Sequence, residues 1–214
     1  RELEIRAWLG RINRLRQLLK DHAEQGIPEM RLIDDVDWLI ASRKVDFNDE
    51  VQVRKALAAL RDTADRRFFG RISSAIRKYM QQPGVEKPAT ALALAPYFDT
   101  PPDSAMLQRY ECVSLSERNR NGTQAWALQV ATPIDADYDG RQQISSTGSM
   151  FTMKAPTAWI PNYRERSTRA YQDYLAANPG PPPVGNAPLL PYFNPPLEPA
   201  QIERILRTER EQQK

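Results

Sequence analysis

The 214-residue chain is 41% hydrophobic and 27% charged, the balance of a globular protein and too apolar for a wholly disordered one. Its 30 basic and 27 acidic residues leave a net charge of +3, and acids are interspersed almost everywhere, which argues against a concentrated nucleic-acid-binding face. One cysteine, Cys112, and one histidine, His22, exclude an internal disulfide, thiolate zinc clusters, His-rich metal sites and most Ser-His or Cys-His machinery.

Residues 1 to about 24 read as an amphipathic helix. Ile5, Trp8, Ile12, Leu15, Leu19 and His22 recur at spacings of three and four, a stripe that suits packing on a core and equally a coiled-coil seam. Gly26 and Pro28 end it. A short helix is expected from Asp34 or Asp35 to Ser42, anchored by Trp38 and Leu39. The capping signal Asp46-Phe47-Asn48-Asp49 then opens a long helix to Gln81, with a break expected near Gly70.

After Pro83-Gly84 the character changes. The chain holds 18 prolines, about 8% against roughly 5% on average, and most fall in its second half. A compact proline-punctuated loop carries Leu92, Leu94, Tyr97 and Phe98, followed by a helical turn from Ser104 to Arg109. Tyr110 to Leu115 and Gln124 to Ala131 read as strands, joined across Arg118-Asn119-Arg120-Asn121-Gly122, where Asn-Gly signals a hairpin turn. Gln142 to Ser145 and Met150 to Lys154 form a second pair. A shorter helix from Pro161 to Asn178, a stiff Pro181-Pro182-Pro183 stretch and a polar helix from about Pro199 to Lys214 complete the chain. The fold class is α+β. Three regions are expected: helical 1–82, a Pro-Tyr-Phe module with a small antiparallel sheet over 83–160, and a second module with a proline-rich arm and terminal helix over 161–214.

The two modules align without a gap. Pro96-Tyr97-Phe98-Asp99 matches Pro191-Tyr192-Phe193-Asn194, Leu94 matches Leu189, Tyr79-Met80 matches Tyr174-Leu175, and Arg109 matches Arg204. Proline restricts the backbone, so presenting the two aromatics loses less ordering entropy. Packing into their own core is the favoured role for Tyr97, Phe98, Tyr192 and Phe193. The alternative is a grip on a partner, for which the second copy is the better candidate because its approach is poorer in apolar residues. Trp8, Ile12, Leu15 and Leu19 are the matching partner-binding candidates on the first helix.

A helix ending in Tyr-(Met/Leu), a Pro/Gly turn, a leucine approach and Pro-Tyr-Phe-(Asp/Asn) resembles a pattern in uncharacterised, often membrane-anchored bacterial proteins. It is also similar to the stretch after the long N-terminal helix of pilin-like proteins, although the first helix here is not the apolar one of that family. The resemblance covers roughly residues 66–110 and 161–206. It implies an anchored or assembled structural protein and carries over no catalytic residue.

Other motifs carry less. Asp135-Ala136-Asp137-Tyr138-Asp139-Gly140 mimics the start of a calcium loop, but Ser146 stands where the closing glutamate belongs, so a solvated turn is favoured. Arg66, Arg67, Arg71, Arg77 and Lys78, and Arg164, Arg166 and Arg169 interleaved with Tyr163 and Tyr171, could hold single-stranded nucleic acid, yet Asp62, Asp65 and Glu165 dilute both clusters. Cys112 reads as a small buried strand residue and His22 as a packed or rim histidine.

No apolar run approaches the roughly 18 residues of a membrane span. The chain opens at Arg1 without methionine and inside a helical pattern, so further sequence upstream, a membrane anchor included, is expected. An extracytoplasmic, membrane-anchored location is favoured over the cytoplasm. The expected role is a structural or interaction subunit of a larger bacterial assembly, non-enzymatic, without cofactor or metal, bound to a protein partner or to itself. A nucleic-acid-binding accessory factor and an enzyme whose site gathers Asp137, Tyr138 or Cys112 remain as alternatives.

Overall fold

A computed structural model describes residues 2–118, 122, 124–154 and 157–212, and the side chains of residues 5–115, 122, 124–154 and 157–210. The chain forms two compact units, Arg1–Met153 and Lys154–Lys214. The hairpin turn expected at Asn119–Asn121 and the last residues of the expected terminal helix lie outside the described residues.

Unit 1 begins with α1 (Glu2–Asp21) and α2 (Asp35–Ser42). Asp34 caps α2, its carboxylate accepting from the Val36 and Asp37 amides while Asp37 accepts from the Asp34 amide, a reciprocal capping box. Asp49 does the same work for α3 (Glu50–Met80) by accepting from Val51 and Gln52. α3 runs unbroken through Gly70, contrary to the expected break. Phe68, Phe69 and Ile72 around it are fully buried, and that burial outweighs the roughly 1 kcal/mol a helical glycine costs.

One side of unit 1 is a core of Ile12, Leu15, Trp38, Val45, Ala56, Leu57 and Leu60, drawn from the three helices and the segment joining α2 to α3. Farther along α3, a 3-10 helix at Ala91–Tyr97 packs back on it, and the short α4 (Ser104–Gln108) packs on that 3-10 helix. They lead into an antiparallel meander, β1 (Tyr110–Arg118), β2 (Gln124–Val130), β3 (Arg141–Ser145) and β4 (Met150–Met153), in that spatial order. β2 is buried along nearly its whole length, as a central strand covered on both faces should be. Leu128 faces Cys112 on one side and Ile144 on the other. β4 is the exposed edge. Residues 1–82 and the sheet belong to the same unit, because α3 contributes to packing with both.

Unit 2 holds a 3-10 turn (Thr157–Trp159), α5 (Tyr163–Ala177), a second proline-containing 3-10 helix (Ala187–Tyr192) and α6 (Pro199–Gln212). Its core is Ile160, Ala170, Leu189, Phe193, Leu197 and Ile205. The proline-rich arm is fastened by Glu209, whose Oε1 accepts from the Asn186 amide at 2.7 Å and from its side chain at 2.6 Å.

Candidate interaction site

α1 divides along its length. From Arg11 onward it is tied down: Arg11 donates to the carbonyls of Ser42 and Val45 and lies over Phe47, and Arg16 lies over the Trp38 ring and pairs with Asp35. Ile12 and Leu15 are buried in the core of unit 1, with Leu19 half-buried against it. Residues 5–10 are exposed all round. Ile5 at 51%, Trp8 at 40% and Leu9 at 54% exposure carry the apolar stripe two turns beyond the last residue the core covers. The four residues predicted on this helix therefore separate. Trp8 is open to a partner, whereas Ile12 and Leu15 already serve the protein's own packing. His22 leaves the stripe altogether, since α1 ends at Asp21 and the exposed imidazole pairs with Glu24 at 3.3 Å.

The Pro-Tyr-Phe aromatics occupy matching settings in each unit. Tyr79 meets Tyr97 edge-on at 5.2 Å, and Tyr174 meets Tyr192 edge-on at 5.5 Å. Phe68 stacks on Phe98 at 6.1 Å, and Tyr163 stacks on Phe193 at 5.8 Å. Both Tyr-Phe steps leave a 3-10 helix whose penultimate residue is proline, and both Phe98 and Phe193 turn the chain into extended geometry. Phe193 is buried, while Tyr97, Phe98 and Tyr192 are half-buried. The second copy, expected to be freer for a partner, thus holds the more enclosed phenylalanine. Its openness lies instead on α5: Ile76 of unit 1 is 1% exposed, but Tyr171 at the matching position is 38% exposed. In unit 1 the same tyrosine pair is further packed by Trp126 of β2, 6.1 Å from Tyr79.

No family model matches the chain. Neither the curated proteins nor the solved structures yield a match either.

The acidic loop shows why a calcium-like pattern need not hold a cation. Arg54 grips Asp135 with two hydrogen bonds of 2.8 and 2.9 Å and Asp137 with one of 2.8 Å, while Arg61 donates twice to Asp139 Oδ1. Two guanidiniums from one face of α3 stand where the charge of a metal would be needed. The spacing of Arg54 and Arg61, two helical turns, was the available signal, and only the fold places it opposite the loop. Among the described residues no group of three or more His, Cys, Asp or Glu side chains could hold a metal ion, and no helix is long and apolar enough to cross a membrane.

The other singled-out residues are distributed. Cys112 is half-buried in β1, and burial pushes its thiol up to about 11, which leaves little thiolate near neutral pH. Asp137 and Tyr138 are held by Arg54 through an ion pair and a ring contact. In the first basic cluster Arg67 is paired with Asp34 and Asp37, and Lys78 with Asp99. In the second, Arg166 donates to the carbonyl of Pro195.

Proposed function

We propose that the chain is a structural or protein-interaction subunit of a larger assembly, without catalytic role, and that the first turns of α1 form its docking surface. The observation that supports this is the division of one apolar stripe, half in the core and half in solvent. An exposed run of Ile5, Trp8 and Leu9 is costly unless a partner covers it. The buried part of the helix holds the exposed part in place, so little ordering entropy remains to be lost on binding. A large aromatic flanked by aliphatic residues is the composition of an interface hot spot.

Self-association is the occupant we test first. Light scattering across a concentration series, at low and high salt, should report a concentration-dependent oligomer insensitive to salt, because the stripe is apolar. The double variant Trp8→Glu, Leu9→Glu should be monomeric, with unchanged helicity and thermal midpoint, since neither side chain belongs to the core. A wild-type protein that is strictly monomeric at every concentration and both salts would rule self-association out.

A further inference from the structure

The sheet of unit 1 has two edges, β1 and β4, and they are guarded differently. Along an antiparallel ladder, residues that exchange hydrogen bonds with the neighbouring strand alternate with residues whose backbone groups point away from it. At the start of β1 the Arg109 carbonyl accepts from the Ala131 amide at 2.9 Å. With Tyr110 opposite Val130 and Cys112 opposite Leu128, the backbone groups of Cys112 therefore point outward. Lys87 closes that position, its Nζ donating to the Cys112 carbonyl at 3.3 Å, and the Ala91–Tyr97 3-10 helix lies against the same strand. A lysine on an edge strand obstructs pairing with another chain.

β4 reads Met150-Phe151-Thr152-Met153, with neither charge nor proline. Its alternation follows from the hairpin before it. The Ser145 amide donates to the Ser149 carbonyl at 2.9 Å, so in the register Ile144↔Met150 and Gln143↔Phe151 it is Phe151 and Met153 that bond to β3. The Thr152 hydroxyl donates to Gln142 Oε1 at 2.8 Å, as suits the closer side chains of a pair without backbone bonds. Met150 and Thr152 thus turn their N–H and C=O groups away from the sheet, and neither meets a further backbone partner among the described residues. Met150 is 46% and Phe151 55% exposed.

We propose that β4 pairs antiparallel with β4 of a second copy, about a two-fold axis at Phe151. An open row of donors and acceptors is complementary to another strand, and the register makes this edge complementary to itself. Bonded pairs form only between outward-facing positions, here 150 and 152, with 148 and 154 flanking them. Position 148 is spent on the hairpin turn, where Gly148 has φ +87° and donates to the Ser145 carbonyl. At position 154 the Lys154 carbonyl already accepts from the Ala158 amide at 3.2 Å. One two-fold register uses both outward residues and neither flank: Met150 bonds Thr152 of the second copy and Thr152 bonds its Met150. Phe151 then faces its own counterpart in a pair without backbone bonds, Cα atoms about 4.5 Å apart, close enough for the rings to pack. No like charges are opposed, since β4 is uncharged and Arg141 beside it on β3 is held by Glu111 at 2.6 Å. A four-residue edge buries far less than the roughly 1,200 Å² of a stable interface. The pairing therefore rests on the α1 reading: it joins copies that α1 has brought together, where effective concentrations reach the millimolar range, and it continues one sheet into the next.

Phe151→Cys in the full chain tests the pairing together with its register. Cα atoms about 4.5 Å apart are within reach of a disulfide. In a glutathione redox buffer the two introduced thiols should link at least about tenfold faster than in urea, with peptide mapping to place the bond. The wild type, whose lone Cys112 is half-buried in β1, should stay unlinked. An oligomeric wild type combined with linking of Phe151→Cys no faster than in urea would overturn the pairing and leave the α1 reading standing. A wild type that is monomeric at every concentration would overturn both. Should Phe151→Cys not fold, Phe151→Lys probes the same contact by opposing two like charges at the axis. It should raise the concentration for half-association about fivefold or more without moving the thermal midpoint of the dilute protein; an unchanged association curve would sink the proposal.

Discussion

In unit 1 Arg54 and Arg109 each answer two acids. Arg109 does this for Glu29 and Asp65, joining a 3-10 helix at Pro28–Leu32, the middle of α3 and the start of the sheet. Removing one partner of a buried pair costs far more than the pair is worth, because it strands the other charge. Arg109→Met should therefore destabilise the protein by about 3–5 kcal/mol at slightly alkaline pH. The penalty should shrink toward pH 5. Burial already pushes both the Glu29 and Asp65 carboxyls above the usual range, and loss of the guanidinium pushes them further, so protonation relieves the repulsion as pH falls. Urea unfolding of wild type and variant at pH 5 and pH 8 measures the difference; a penalty equal or larger at pH 5 would contradict it.

Elements that carry their own signals were legible in the sequence. α1, α2 and α3 have apolar periodicity and explicit caps at Asp34 and Asp49, and the two strand pairs have alternation and turn residues; each lies within a few residues of its reading. The 3-10 helix at Ala91–Tyr97 was read as a loop and the one at Ala187–Tyr192 as part of a proline-rich arm, because a proline inside a short helix hides the pattern. Contacts such as Arg54–Asp135 or Arg109–Glu29 join positions about eighty residues apart, where no local spacing can announce them. The α1 stripe stayed open between core and partner for the same reason: periodicity marks a face, and only tertiary structure tells which turns of it are covered. Gly70 illustrates how an element tolerates a local fault. It faces solvent, and a Cβ there would meet nothing within 4 Å. Gly70→Ala should raise stability by about 0.5–1 kcal/mol by restoring helix propensity without strain, visible as a higher thermal midpoint; a lower midpoint would mean the position carries a constraint other than propensity.

At the scale of the molecule, the two units differ in how much they can bury. Unit 1 has α1–α3 packed on one side and a sheet whose central strand is buried on both faces. Unit 2, Lys154–Lys214, has a core cluster of six buried apolar side chains among the described residues and a length, about 60 residues, at which a single core is marginal. Its helices should open at lower free energy than α3, giving a graded pattern of amide protection. Ile205 tests the grading because it anchors α6 in the core cluster that holds Phe193. Ile205→Ala removes about 2–5 kcal/mol of packing, a large fraction of what so small a core supplies. Exchange of the α5 and α6 amides should accelerate accordingly, while the Leu60–Ile76 stretch of α3 keeps its wild-type protection. Equal acceleration in both would mean that the separate cores unfold as one cooperative body.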